Sequence, residues 1–260
     1  MTYEPLILTV PPERLKQVQG LSVQVAHRAY RVGRGPHLFR AGPAVPVRGG
    51  LMVVDDRNCD GRGEAGMLCD EVVRECAARG FRGAVCRFGG KKKPLLERAV
   101  EELGERFGRR NWRLYVPEEY GSCSDRVRVM ISSALSGGSL QHRLEEAAAL
   151  FGTGRVVLNI ERVAEDFFLP SPNGSGVPLT RTGLQEMLEQ LRPSVFFSHE
   201  LCARYFTYMS REGGAHFVLF DDGDTIRKKL QLARGLGIPG AVASLEDVED
   251  ILDKLNLKQK

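Results

Sequence analysis

The chain has 260 residues, of which 42% are hydrophobic and 27% are charged, with a formal net charge of +4. These values are typical of a soluble folded protein and exclude a disordered chain. The positive charge is not gathered into a Lys/Arg tail or a basic stripe interleaved with aromatic residues. The composition therefore gives no support to nucleic-acid binding, although it leaves room for an acidic small ligand.

The amino-terminal stretch "MTYEPLILTVPPERL" lacks a cationic segment and contains an apolar run of only five residues. No other window reaches the roughly 18 apolar residues that a membrane span needs. We therefore expect no signal peptide and no membrane segment, and we expect the protein to be cytoplasmic at synthesis.

Sequence signatures of cofactor and metal binding are missing. The six cysteines are scattered, without a CxxC pair or the Cys/His spacing of a zinc site. The chain has no P-loop, no GxSxG elbow and no GxGxxG followed by an acidic residue. We expect reduced and mostly buried thiols, no metal and no cofactor.

Strand and helix patterns alternate along most of the chain. Eight runs rich in apolar and β-branched residues predict strands at 6–10, 21–27, 51–56, 83–88, 112–116, 127–132, 155–160 and 240–244. Helical periodicity predicts helices within 63–80, 93–110, 139–152, 180–192 and 224–237. This alternation predicts a (β/α)8 TIM barrel, and we expect one domain over residues 1–260.

Two segments depart from the alternation. Residues 28–50 are rich in Gly, Pro and Arg without a helical period, which predicts a loop in place of one covering helix. Residues 194–224 hold three alternating runs separated by polar turns. We expect these runs to form a small antiparallel β insertion before the last helix.

The segment "CARYFTYMSREGGAHFVLFDDGDTIRKKLQLARGLGIPGAVA" resembles the carboxyl-terminal part of family 18 glycoside hydrolases, the chitinase-like barrels. The likeness is greatest to short bacterial forms associated with spore peptidoglycan. Matching positions include Phe206 with Tyr208, the stretch 216–221, and the glycines Gly237 and Gly240. The resemblance extends over roughly residues 50–245, and it implies the same barrel fold and a link to glycans.

The same resemblance locates the family's catalytic strand on "FRGAVCRFG". That strand reads F-D-G-I-D-I-D-W-E in the family, so its three Asp positions fall on Arg82, Val85 and Arg87, and its Glu falls on Gly89. The Glu protonates the leaving oxygen and the neighbouring Asp orients the acetamido group that acts as nucleophile. The resemblance therefore implies that the catalytic motif has been lost.

Other family positions differ as well. The Met-x-Tyr-Asp site reads Met130, Ile131, Ser132 and Ser133, and the last strand "GAVAS" lacks the family's Trp. We predict a catalytically inactive chitinase-like barrel that acts in carbohydrate binding or as a structural scaffold, with a link to the cell wall or spore. Its protein partner is unknown from the sequence.

An active glycoside hydrolase with relocated carboxylates remains the alternative. Barrel active sites lie at the carboxyl ends of the strands, so six residues are candidates for the barrel mouth: Asp55, Asp56, Arg87, Glu118, Glu119 and Glu161. The simpler reading of the acidic residues is that they are solvated loop carboxylates or helix caps.

Strand alternation places Val85, Arg87 and Gly89 on one face of their strand and Arg82 on the other. The resemblance implies that the first of these faces looks into the barrel. Because an unpaired buried charge is costly, we expect Arg87 to pair with Asp55 or Glu118 and to plug the mouth. The other reading joins Arg87 to the "GGKKK" helix start as an anion pocket for a phosphate or a carboxylated sugar.

Overall fold

A computed structural model describes residues 4–40, 48–170, 174–210 and 213–255. Its strands are β1 (Ile7–Val10), β2 (Gln24–Val32), β3 (Leu38–Arg40), β4 (Leu51–Asp55), β5 (Gly83–Arg87), β6 (Arg113–Pro117), β7 (Arg128–Ser132), β8 (Val156–Ile160), β9 (Ala164–Leu169), β10 (Val177–Pro178), β11 (Phe196–Ser198), β12 (Ala203–Met209), β13 (Ala215–Phe220) and β14 (Ala241–Ser244). The helices are α1 (Ala65–Arg79), α2 (Pro94–Gly108), α3 (Leu140–Phe151), α4 (Arg181–Leu191), α5 (Gly223–Gly235) and α6 (Leu245–Val248).

Eight of the strands form a closed parallel barrel. Their order is β1-β14-β8-β7-β6-β5-β4-β2, and the parallel pairing of β1 with β2 closes the ring. Each run that was predicted from the sequence contributes one barrel strand. The prediction of a (β/α)8 TIM barrel with an additional antiparallel sheet is thus confirmed.

Local sequence explains where the main helices begin and end. Helix α2 starts at Pro94, a residue favoured in the first helical turn because it needs no backbone N–H there. Helix α1 ends at Gly80, whose φ of 70° lies in the left-handed region that glycine adopts without a Cβ clash. The apolar faces of both helices are buried, which fixes them against the barrel.

Three of the connections between barrel strands contain no α-helix in the residues that the structure describes. Short 3-10 helices at Pro12–Val18 and Glu118–Tyr120 connect β1 to β2 and β6 to β7. Between β2 and β4 the chain forms the short strand β3, which pairs antiparallel to β2. Within the predicted loop 28–50, the described residues therefore extend the barrel sheet, and residues 41–47 lie outside the described part of the chain.

The antiparallel insertion forms a five-stranded sheet in the order β10-β9-β13-β12-β11. The expected runs within 194–224 correspond to β11, β12 and β13, and the sheet also includes β9 and β10. One face packs on α4 through Leu184 and Phe206. The opposite face packs Phe167 and Leu219 near Ala134, which follows β7 at the mouth of the barrel.

A buried ion pair fastens α5 beneath the end of this sheet. Lys229 and Asp221 have side chains with no solvent exposure, and Lys229 Nζ lies 2.7 Å from Asp221 Oδ2. The ammonium also donates to the backbone oxygen of Ser133, and Asp221 accepts from the backbone N–H of Val163. Asp222 caps the helix together with Thr225.

Within the described residues, no helix is both long enough and apolar enough to cross a bilayer.

Candidate functional site

The interior of the barrel is filled by one apolar layer. Residues that alternate along the strands point inward and pack together, and none is more than 7% exposed: Ile7, Ala26, Leu51, Val53, Val85, Tyr115, Met130, Val157 and Val242. This layer is a packed core and leaves no pore through the barrel. Val85 therefore lies on the inward face, as the alternation predicted.

A polar layer lies directly above the apolar one, at the carboxyl ends of the strands. The next inward positions of six strands line a cavity of about 530 Å³: Thr9, Asp55, Arg87, Ser132, Asn159 and Ser244. Glu119 and Glu161 are exposed and also line the cavity, so solvent reaches it. Its floor offers hydroxyl, amide, guanidinium and carboxylate groups for hydrogen bonds.

Asp55 and Asp56 are buried at this mouth and are engaged by basic neighbours. Asp55 Oδ1 accepts from both the backbone N–H and the Nε of Arg57, each at 2.9 Å. Asp56 pairs with Lys93 at 2.5 Å and accepts from the backbone N–H of Gly89 at 3.0 Å. Both carboxylates thus stabilise the loops at the mouth, and Asp56 fixes the turn that follows β5.

The two glutamates after β6 differ in their surroundings. Glu118 forms an ion pair with Arg143 of α3. Glu119 is exposed and makes no hydrogen bond or ion pair with any residue that the structure describes. Glu118 is therefore neutralised by a cation outside the cavity, while Glu119 is a solvated carboxylate at the rim.

Glu161 follows β8 and is held by neutral donors. Ser132 donates its hydroxyl to Glu161 Oε2, and the Asn159 amide donates to Oε1 at 2.7 Å. No cation forms an ion pair with it in the described chain. The carboxylate is therefore oriented in the mouth without being neutralised.

Sequence reasoning missed Asp247, which lines the same cavity. It lies in α6, three residues after β14, the last barrel strand. Burial and the nearby carboxylates of Glu161 and Glu246 raise the pKa of Asp247, and the Arg87 guanidinium partly offsets this rise. The same strand-end rule that selected the other acids would have found it, because the stretch "SLEDVED" directly follows the last strand.

Arg87 reaches the mouth, but the expected ion pair with Asp55 or Glu118 is wrong. Those carboxylates are taken by Arg57 and Arg143, which lie closer. Arg87 is exposed, lines the cavity and makes no hydrogen bond or ion pair with the described residues. The mouth is therefore not plugged by this side chain.

The remaining positions of the fourth strand are dispersed. Arg82 precedes β5 at the amino end of the barrel, remote from the cavity, and is exposed. Gly89 lines the cavity, with no heavy atom within 4 Å of the place where a Cβ would lie. In "GGKKK", Lys92 pairs with Glu97 and Lys93 with Asp56. The alternative anion pocket at this helix start therefore lacks two of its three lysines.

Comparisons with known proteins agree with this architecture. No protein-family model matches the chain, and no curated protein matches it in sequence. The spore cortex-lytic enzyme SleL of Bacillus megaterium QM B1551 is 14% identical, with a TM-score of 0.69 over 100% of this chain and 74% of that one. A chitinase from Chromobacterium violaceum is 13% identical, with a TM-score of 0.70 over 98% of each chain.

A GH18 chitinase from Cycas revoluta, solved in complex with (GlcNAc)3, is 13% identical, with a TM-score of 0.66 over 96% of this chain and 98% of that one. At such identities the likeness concerns the fold alone. The chain thus has the barrel fold of chitinases and of spore cortex-lytic enzymes.

Proposed function

We propose that this chain binds glycans containing N-acetylglucosamine at the barrel mouth and does not hydrolyse them. One observation carries the proposal: Arg87 and Gly89 line the mouth cavity at the end of the fourth barrel strand. These are the positions at which the resemblance to the family implies an orienting Asp and an acidic Glu.

The chemistry of these two side chains opposes the family's mechanism. Glycine has no proton to donate to a leaving oxygen, and a guanidinium reverses the charge that would orient an acetamido group. Loss of a general acid alone lowers a rate by about 10²- to 10⁴-fold, and here the neighbouring group is replaced too. Turnover by substrate assistance is therefore not expected.

The unfilled mouth favours ligand binding over a purely structural role. A cavity of about 530 Å³ falls within the range of about 300–1,000 Å³ typical of small-molecule sites. Its floor presents Thr9, Ser132 and Asn159, which can hydrogen-bond to sugar hydroxyls. A scaffold with a filled mouth would have packed these positions with apolar side chains.

The proteins of similar fold point to the same class of ligand. They include chitinases, one of them solved with (GlcNAc)3, and enzymes that act on the spore cortex. We therefore place the proposed ligand among cell-wall or chitin-type glycans and propose a role linked to the cell wall or spore.

Hydrolysis by relocated carboxylates is the second candidate, and one observation favours it. Asp247 and Glu161 follow neighbouring barrel strands, β14 and β8, and both line the cavity. Burial and Glu161 raise the pKa of Asp247, which is the direction that suits a general acid.

Binding and product analysis together separate the two functions. Calorimetric titration with chitin oligomers and peptidoglycan strands should give saturable binding, and chromatography of the same samples should return the glycans uncut. The chain would be a hydrolase instead if it cuts the glycans and if Glu161→Gln and Asp247→Asn abolish this cleavage. The exposed control Glu200→Gln should then leave the cleavage unchanged.

A further inference from the structure

Most charges around the mouth already have partners. Asp55 is neutralised by Arg57, Asp56 by Lys93, and Glu118 by Arg143. These pairs fix loops and leave little charge for a ligand, because each partner is satisfied within the protein.

Four charged groups that line the cavity have no opposite charge at ion-pair distance among the described residues: Arg87, Glu119, Glu161 and Asp247. Arg87 makes no contact with an anion, and neither Glu161 nor Asp247 contacts a cation among the described residues. Glu119 follows β6, the neighbour of β5, and is exposed, as Arg87 and Glu161 also are.

These groups lie on opposite sides of the mouth. β5, which carries Arg87, is four strands from β14 in either direction around the closed barrel. Asp247 follows β14, and Glu161 follows the adjacent strand β8. The cavity therefore has Arg87 on one wall, with Glu119 after the neighbouring strand β6, and the carboxylates Glu161 and Asp247 on the opposite wall.

An orphaned hydroxyl marks the anionic side as a ligand site. Thr9 is only 3% exposed and lines the cavity, and its Oγ1 has no hydrogen-bond partner in the described structure. Thr9 lies on β1 beside Ser244 of β14. A buried hydroxyl without a partner is costly, so a polar ligand group at this position would relieve the penalty.

We propose that the mouth selects a bipolar sugar, whose carboxylate binds Arg87 and whose protonated amine binds Glu161 and Asp247. This inference rests on the glycan-binding function proposed above and names the substrate class: an amino sugar with a free amine and a carboxylate. The Thr9 hydroxyl forms a hydrogen bond with a hydroxyl or amine group of that sugar.

Ligands of a single charge fit the cavity less well. An anion would meet Arg87 but face Glu161 and Asp247 across the mouth, and a cation would face Arg87. A neutral N-acetylated sugar leaves all three charges unpaired. Charge-assisted hydrogen bonds are about twice as strong as neutral ones, so a bipolar sugar gains at both walls.

Four monosaccharides test the two charges separately: N-acetylglucosamine, glucosamine, N-acetylmuramic acid and muramic acid. Glucosamine and muramic acid have a free amine, and N-acetylmuramic acid and muramic acid have a carboxylate. N-acetylglucosamine has neither group. Dissociation constants are measured by NMR titration near neutral pH and low salt. Muramic acid should bind most tightly, by about tenfold over N-acetylglucosamine if each wall contributes a modest ion pair.

Variants assign each charge to its wall. Arg87→Gln should weaken only the two carboxylate sugars, and Glu161→Gln only the two free amines. The exposed residues Arg82 and Glu200 lie outside the cavity, so Arg82→Gln and Glu200→Gln serve as matched controls and should leave all four constants unchanged.

The results distinguish this inference from the function on which it rests. If N-acetylglucosamine binds as tightly as muramic acid, or if Arg87→Gln weakens all four sugars equally, the bipolar site is wrong while glycan binding stands. If neither the four sugars nor the glycan strands bind, both proposals are wrong.

Discussion

At the scale of single residues, the environment of Asp247 has a measurable consequence for stability. Burial, then Glu161 and Glu246, raise its pKa, so the folded protein holds this proton more tightly than the unfolded chain does. Between the unfolded and folded pKa values the unfolded chain binds fewer protons, so stability falls as pH rises through that range, beginning at about pH 4.

Asp247→Asn should therefore raise the melting temperature at neutral pH and change it little at pH values below that range. The amide keeps the size of the side chain and removes the negative charge that the Glu161 carboxylate repels. Calorimetry across this pH range measures the difference, with the exposed Asp253→Asn as the control. A variant that is less stable than the wild type at neutral pH would show that the ionised carboxylate has a stabilising partner.

Gly89 allows a direct test of the proposed loss of the catalytic motif. No heavy atom lies within 4 Å of a Cβ at this position, so Gly89→Glu can be accommodated without strain. We expect no release of reducing sugar from chitin oligomers, because Val85 and Arg87 still stand where the resemblance implies Asp. Clear hydrolysis by this single variant would show that the other replacements are harmless.

The site could be predicted from the sequence only in part. Alternation along β5 located Val85 and Arg87 on the inward face, since side-chain direction has a period of two in a strand. The partner of Arg87 could not be predicted, because Asp55 is satisfied by Arg57, two residues away, and Glu118 by Arg143 from a different element. Such choices depend on side-chain reach in three dimensions.

At the scale of elements, the buried Lys229–Asp221 pair holds α5 to the end of β13 and to the loop after β7. Lys229→Met should lower the free energy of unfolding by about 3–5 kcal/mol, because it strands a buried carboxylate. Denaturant unfolding measures this, and Lys228→Met on the exposed side of the same helix should cost much less.

The double variant Asp221→Asn, Lys229→Met should recover part of that loss, because no buried charge is left unpaired. Equal stabilities for Lys229→Met and Lys228→Met would contradict the role assigned to the pair.

The barrel strands were predictable because each is a compact apolar run, such as "LMVVD" of β4, in which all five residues are buried. Strand β9, "AEDFFL", has only one fully buried position, and β10 has two residues, both exposed. Strand β9 pairs with β13, which is distant in sequence, and β10 pairs with β9, so local patterns do not reveal this part of the sheet.

At the scale of the whole molecule, a chitinase-like barrel combines with an open polar mouth. The apolar layer and the five-stranded insertion sheet carry the fold. The mouth, by contrast, carries Arg87 and Gly89 at the end of the fourth barrel strand, and Glu161 and Asp247 just after the last two barrel strands. The residues that carry the fold are thus separate from those that we propose bind the ligand.

The most direct test of the central claim is one sample in which binding and cleavage are measured together. The chain is titrated with chitin oligomers and peptidoglycan strands, and the glycans are then recovered and their lengths determined. We predict saturable binding with every glycan recovered at its starting length. Shortened glycans, or no binding of either glycan, would contradict the account.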